Sequence, residues 1–267
     1  MSGRRFRRRR HSDPRAFIHH LDLRNARADY QARKRHTFAL FEVKAGHHLL
    51  DVGCGTGEDV RALAHLVGRT GRVVGVDSSA TLIAEACKRA AGLHLPVEYY
   101  VGDVQRLDFA DHTFDGCRAE RVFIHLDNPR QALAEMTRVA RSGTRIVVLD
   151  PDLETQVIAA EDRTVTRKIL NFFCDRFRNG WMGRYLAGLF QGAQLADIAV
   201  FADTALLTDY AEAEQMLRLQ DMAERAQEAG VVSVAEAATW LGQLETASQA
   251  GRFFLAFTVF CVSGRKP

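Results

Sequence analysis

LLDVGCGTGED, residues 49–59, passes from an apolar run into a helical pattern through three glycines, Gly53, Gly55 and Gly57. Glycine lets backbone turn tightly and approach a ligand, so the stretch reads as a strand, a ligand-binding turn and a helix. A dinucleotide-binding turn of the G-x-G-x-x-G type would need its third glycine at position 58, where this chain has Glu58. A carboxylate there would also repel a pyrophosphate.

Outward from this turn, short β-like runs alternate with longer helical periodicities. HHLLDVG, RVVGVD, VEYYVGD, FDGCRA and TRIVVLD are strand candidates, and most end at Gly, Asp or Ala. The alternation predicts an α/β fold: a doubly wound, mostly parallel sheet of seven strands with helices on both faces. Asn128-Pro129 is a helix cap followed by a first-turn proline, with Ala132, Leu133, Met136, Val139 and Ala140 as the apolar stripe and Gly143 as the terminator. Residues 152–178 read as an inserted helical segment, followed by a helix over 182–195 and the strand IAVFADTALL. Residues 211–228 carry a single helical stripe, SVAE at 233–236 is a capping box, and FFLAFTVFCV is the last strand. Helical insertions at 152–178 and 207–250 would form a substrate cap beyond the strand ends, and are equally candidates for a homodimer interface.

The 267-residue chain has a net charge of +3, but residues 1–15 hold seven arginines against Asp13. The rest of the chain therefore carries 29 basic and 32 acidic residues, a net of −3. The arm reads as a solvated, disordered segment, with phosphate or acidic-lipid contact as the alternative. It lacks the apolar core of an export signal, and no run is long and apolar enough to span a membrane. Five widely spaced cysteines suggest reduced thiols in a cytoplasmic protein. Residues 16–36, with Phe17, Ile18, Leu21, Leu23 and Tyr30, are expected to form a short amphipathic helical lid.

The acidic residue followed by x-G-x-G-x-G, Asp51 to Gly57, resembles the first motif of the class I, Rossmann-like S-adenosylmethionine-dependent methyltransferases, in particular their UbiE-like small-molecule branch. The resemblance covers residues 37–150 well and the C-terminal half loosely, and makes 37–267 a methyltransferase domain. It implies S-adenosylmethionine as cofactor, S-adenosylhomocysteine as product, and no metal. It assigns Asp51, Gly53, Cys54, Gly55, Gly57, Asp77, Ser78, Asp103, Val104 and Ala119 to the cofactor, with Asp51 towards the methionyl amine, Asp77 at the ribose hydroxyls, Asp103 and Val104 at the adenine and Ala119 near the methionyl end. Cys54 is expected to be a small packed residue there rather than a nucleophile.

CRAERVFIHLDNP then places Glu120, Arg121 and His125 towards the acceptor, with Tyr30 joining from the lid. Glu120 and His125 are the catalytic candidates, although for His125 packing beneath its loop is the favoured reading. By chemistry alone His19, His20 and Asp150 are further possible bases. Methyl transfer needs alignment of the acceptor and exclusion of water rather than a nucleophile on the protein. The expected substrate is a small organic metabolite of natural-product or quinone type, methylated on O, N or C. Nucleic acid is disfavoured, because the Asn/Asp-Pro-Pro-aromatic motif of amino-methylating enzymes is replaced by RAER. The alternatives are an RNA methyltransferase guided by the arginine arm, and a fold relative that binds the cofactor for other chemistry.

Overall fold

The computed structural model describes residues 14–267. Strands β1 (His48–Val52), β2 (Arg72–Asp77), β3 (Val97–Val101), β4 (Phe114–Glu120) and β5 (Ala140–Ile158) pair in parallel, whereas β7 (Leu255–Arg265) is antiparallel to β5 and to β6 (Ala196–Leu207). The order β3-β2-β1-β4-β5-β7-β6 makes one seven-stranded sheet whose direction of winding reverses between β1 and β4. Crevices at such reversals, outside the carboxyl ends of the strands, are where open α/β sheets bind ligands.

Alternate residues of the central strands enter opposite cores, as the two-residue period of a strand requires. Leu49, Val73, Val147 and Leu149 face one cluster; Leu50, Val52, Val74, Val76, Ile146 and Val148 face the other. Helices α3 (Glu58–Val67) and α4 (Ala80–Ala90) follow β1 and β2, with Ser79 capping α4. Helix α5 (Pro129–Val139) starts as expected, with Asn128 Oδ1 accepting from Gln131 N at 3.1 Å. It ends earlier than its sequence suggests: β5 begins at Ala140, and Gly143 turns the strand's first residues at φ +79° instead of closing the helix.

The segment 152–178 also differs from expectation. It reads as helical throughout, but β5 continues to Ile158 because β7 runs beside it, and Thr155 Oγ1 accepts from Thr258 N at 2.8 Å. Helix α6 (Arg163–Asp175) occupies only the second part. After α7 (Met182–Gly192) and β6, the stripe over 211–228 forms two helices, α8 (Tyr210–Leu217) and α9 (Leu219–Glu228), broken at Arg218 with φ +56°. Helix α10 (Val234–Gln249) opens with the anticipated box, Ser233 and Glu236 bonding each other's backbone, and Trp240 Nε1 ties it to Thr166 Oγ1 of α6 at 3.1 Å.

Residues 16–36 form not one helix but parts of two, α1 (Pro14–Asn25) and α2 (Ala28–Leu40), whose limits reach into the segments on either side. Pro14 and Arg15, counted with the arginine arm, belong to α1; residues 1–13 of that arm lie outside the described residues.

Candidate active site

The carboxyl ends of β1, β2 and β4 are level, since Val52 pairs with both Val76 and Ala119. Asp51, the glycine turn, Asp77 and Glu120 therefore converge on one rim. In the turn, Gly53, Gly55 and Gly57 have φ of +69°, +56° and +74°, a region that glycine alone adopts readily. The three are not equivalent. A Cβ on Gly53 would run into the Val122 side chain, and one on Gly57 would sit 2.6 Å from the Tyr99 ring. At Gly55 a Cβ would meet nothing nearer than Leu21 Cδ1 of α1, at 3.5 Å. Protein fills the space at the outer two positions; the middle one opens towards the lid.

Asp77 fixes this turn. Its Oδ2 accepts from Gly55 N at 3.0 Å and its Oδ1 from Ser79 N at 2.8 Å, leaving each oxygen a lone pair for a diol. Burial raises its carboxyl above the ordinary range, against the two amide bonds. Ser78 is exposed beside it. At the end of β3, exposed Asp103 accepts from Gln105 N at 2.9 Å, and Val104 is buried beneath it. Ala119 is fully buried and supports the rim from within the core. Cys54 is buried, its thiol pushed far up by burial and by Asp51, as a packed and unreactive side chain would be.

Above the turn lies a pocket lined by Leu21, Arg24, Asn25, Tyr30 and Lys34 of the lid and by Asp51, the glycine turn, Asp59, Arg118 and Glu120 below. Arg118, in the middle of β4 and 1 % exposed, donates to Asp51 Oδ1 at 3.1 Å, to Asp59 Oδ2 at 2.7 Å and to Glu120. Lys34 of α2 meets Asp59 at 2.5 Å and Asn25 Oδ1 at 2.8 Å, and the buried Tyr30 hydroxyl donates to Glu120. Burial raises Asp51 to about 7, opposed by Arg118 and assisted by Asp59. Glu120 goes the other way: burial would raise it, but Arg118, Lys34 and the Tyr30 bond together hold it below the usual carboxylate range.

Of the insertion helices, α8 meets the lid, and none contributes a residue to the lining of this pocket. Glu212 of α8 pairs with Arg27, and Gln215 O lies 3.3 Å from His20 Nδ1. Of the remaining sequence candidates, Arg121 is half-buried with φ +56°, its guanidinium lowered to about 10 by burial and by Arg24. His125 is exposed on a 3-10 turn (Phe123–His125), with its ring 5.7 Å from that of Phe177 and outside the pocket. Asp150 is buried and accepts from Phe123 N at 3.1 Å, holding that turn, and His19 is exposed. The structure thus gathers Tyr30, Asp51, the glycine turn and Glu120, and sets His125 apart. Sequence reading missed Arg24, Lys34, Asp59 and Arg118; the available signal was a charge, Arg118, inside the otherwise uncharged centre of a buried strand. Among the described residues no group of acidic, His and Cys side chains is placed to hold a metal, and no helix is long and apolar enough to cross a membrane.

Comparison with known proteins agrees with this arrangement. Residues 50–148 match the family described as Methyltransferase domain. The chain is 38% identical over 222 residues to an uncharacterized 37.1 kDa protein in transposon TN4556 of Streptomyces fradiae, covering 83% of this chain and 63% of that protein. It is 33% identical over 140 residues to a demethylmenaquinone methyltransferase of Bacillus cytotoxicus, covering 51% of this chain and 59% of the relative. Among solved structures, it resembles Haemonchus contortus phosphoethanolamine N-methyltransferase 2 in complex with phosphomonomethylethanolamine and S-adenosylhomocysteine. The TM-score is 0.53 at 17% identity, over 84% of this chain and 50% of that one. The chain therefore spans less than two thirds of the length of these curated relatives. By its matched domain, its glycine turn and its sheet order, the chain carries a methyltransferase domain over residues 50–148, on the Rossmann-like fold of the class I, S-adenosylmethionine-dependent enzymes.

Proposed function

We propose that the protein transfers a methyl group from S-adenosylmethionine to an O, N or C atom of a small organic molecule of natural-product or quinone type. The observation that carries this reading is the Gly55 opening, flanked by Asp51 and Asp77 and roofed by α1 and α2. Asp77 presents two acceptor oxygens suited to ribose hydroxyls, and Asp51 a carboxylate suited to a cationic methionyl amine. When bound, the sulfonium supplies the methyl group and departs as a thioether.

The chain's own contribution is alignment and enclosure. The lid is anchored by Lys34 to Asp59, Tyr30 to Glu120, and Arg89 of α4 to Asp22 of α1 at 2.6 Å, so it can exclude water from the rim. Enclosure favours a small acceptor over a polymer, and the demethylmenaquinone relative supports a quinone-type ring. Glu120 faces the pocket, but Arg118 and Tyr30 engage its carboxylate, which favours positioning over proton transfer. The surface position of His125 against Phe177 supports packing of its turn. Five cysteines without disulfides fit a reducing compartment, and we assign the activity to the cytoplasm.

Incubating the protein with metabolite extract and methyl-labelled cofactor, followed by mass spectrometry, tests the reading. A labelled small molecule is the expected result. Cofactor binding without any labelled product would favour a non-transferring fold relative, and label confined to RNA would favour the polymer reading.

A further inference from the structure

Among the described residues the pocket holds one charged side chain, Arg24, that forms no direct ion pair, although its charge helps to hold the Glu120 carboxyl low. Glu58 pairs with Arg61 at 2.7 Å, Lys34 with Asp59, and Arg118 with Asp51, Asp59 and Glu120. Arg24, on the last turn of α1, lines the same pocket, yet among the described residues no carboxylate oxygen lies within 4.0 Å of it. Its guanidinium carbon sits 5.3 Å from the centroid of the Tyr30 ring, and its Nε is buried without a hydrogen-bond partner.

Its position is well defined. Tyr30, the ring it covers, is anchored through its hydroxyl to Glu120. The corner between α1 and α2 is fixed by Lys34 donating to Asn25 Oδ1 at 2.8 Å and Gln31 Nε2 donating to Asn25 O at 2.6 Å. One turn before Arg24, Leu21 covers Gly55. The pocket thus has carboxylates on its β1 and β4 wall, Asp51 and Glu120, and on its lid a cation, Arg24, whose guanidinium no described carboxylate contacts directly. An anionic wall facing one cationic pole complements an α-amino-acid zwitterion, and a guanidinium is the side chain best shaped to take its carboxylate.

We propose that Arg24 is the receptor for the α-carboxylate of the cofactor's methionyl moiety, opposite Asp51, so that the lid recognises the amino-acid end of the cofactor. This rests on the cofactor reading above. The same guanidinium chemistry would suit a carboxylate on the acceptor, and the test separates the two sources.

Calorimetry compares S-adenosylmethionine with its decarboxylated analogue, which keeps the sulfonium and the amine. The wild-type protein should prefer the carboxylated ligand by roughly 10- to 100-fold, the range for a charge-assisted hydrogen bond. Arg24→Leu should lose that factor for S-adenosylmethionine and leave the analogue's affinity unchanged, while Arg24→Lys retains part of the preference. Melting curves of each variant confirm folding. Equal wild-type affinities for the two ligands, or a preference that survives Arg24→Leu, would overturn the inference and leave the cofactor reading standing. Binding of neither ligand would defeat both. In a second arm, benzoate is titrated onto the S-adenosylhomocysteine complex: binding that depends on Arg24 would move the anion to the acceptor and overturn the assignment.

Discussion

Replacing Arg118 with methionine should destabilise the protein by about 3–5 kcal/mol at pH 7.5, the cost of breaking a buried ion network by removing one partner. The structure puts the site in that class. Arg118 is 1% exposed and its three carboxylate partners are 3%, 11% and 7% exposed, so water cannot replace the guanidinium. Methionine fills similar volume, and the Phe38 ring, whose centroid lies 5.3 Å from the guanidinium carbon, would still have a packing partner. The loss is therefore electrostatic, which makes it depend on pH. Without Arg118, three buried carboxylates keep Lys34 as their one direct ion-pair partner among the described residues, and the burial that already raises the Asp51 carboxyl is no longer opposed by the guanidinium. Groups raised in this way favour folding while protonated, and that contribution vanishes as pH rises through the folded values. The variant's deficit should hence be small at pH 4.5–5 and grow towards pH 8. Urea unfolding of both proteins across that range measures it; at neutral pH the melting temperature should drop by roughly 10 °C. A deficit that stays constant with pH would show packing alone at stake and refute the electrostatic account. An unchanged stability would refute the network itself.

Asp77→Ala should weaken S-adenosylmethionine binding by about 1.5–3 kcal/mol, measured by calorimetry, because two acceptor oxygens and the anchor of the Gly55 amide are lost together. Gly55→Ala and Gly57→Ala both force a side chain to positive φ, at roughly 1–2 kcal/mol each. Gly57→Ala should lose more stability, since its Cβ meets Tyr99, whereas Gly55→Ala should chiefly lose cofactor affinity; normal binding by a folded Gly55→Ala variant would contradict the open side of the turn. Cofactor affinity should strengthen as pH rises through about 7, where Asp51 ionises, with proton release on binding seen as a dependence of the calorimetric heat on buffer below that pH.

What the chain announces in sequence is what depends on near neighbours. The glycine turn needs three residues of positive φ within five positions, and Asp51 and Asp77 stand at strand ends that apolar runs mark directly. The fold class follows from the same runs. The misread parts depend on distant partners. Strand β5 runs on past Asp152 because β7 lies beside it, and the stripe over 211–228 is divided at Arg218 by backbone geometry that no apolar period records. Glu120 and Tyr30 were legible individually, as a carboxylate after the fourth strand and an aromatic in an amphipathic stretch. The bond between them, 90 residues apart in sequence, was not. Arg118 illustrates the limit most clearly: a charge inside a buried strand signals an internal partner, but Asp51 and Asp59 become its partners only once β1, β4 and α3 are packed.

The charges under the lid are unbalanced in a way that bears on how the site works. Among the directly ion-paired groups, Arg118 and Lys34 set two positive charges against Asp51, Asp59 and Glu120, one excess negative charge when all are ionised, with Arg24 of the lid nearby but unpaired. Asp51, raised chiefly by burial and further by Asp59 and Glu120, is the carboxyl that registers this environment. A ligand with a sulfonium and an ammonium relieves the excess, and by linkage stabilises the folded state that holds the cluster together. Lys34 and Tyr30 both come from α2, so the groups that keep the lid on the rim also determine how strongly the rim attracts a cation. Removing Lys34 would loosen the lid and leave the cluster two charges negative, two effects that act oppositely on a cationic ligand: weaker enclosure, stronger attraction. Lid anchoring and cofactor charge are thus one electrostatic system, in which the lid holds the rim through Lys34 and Tyr30 and adds the unpaired charge of Arg24.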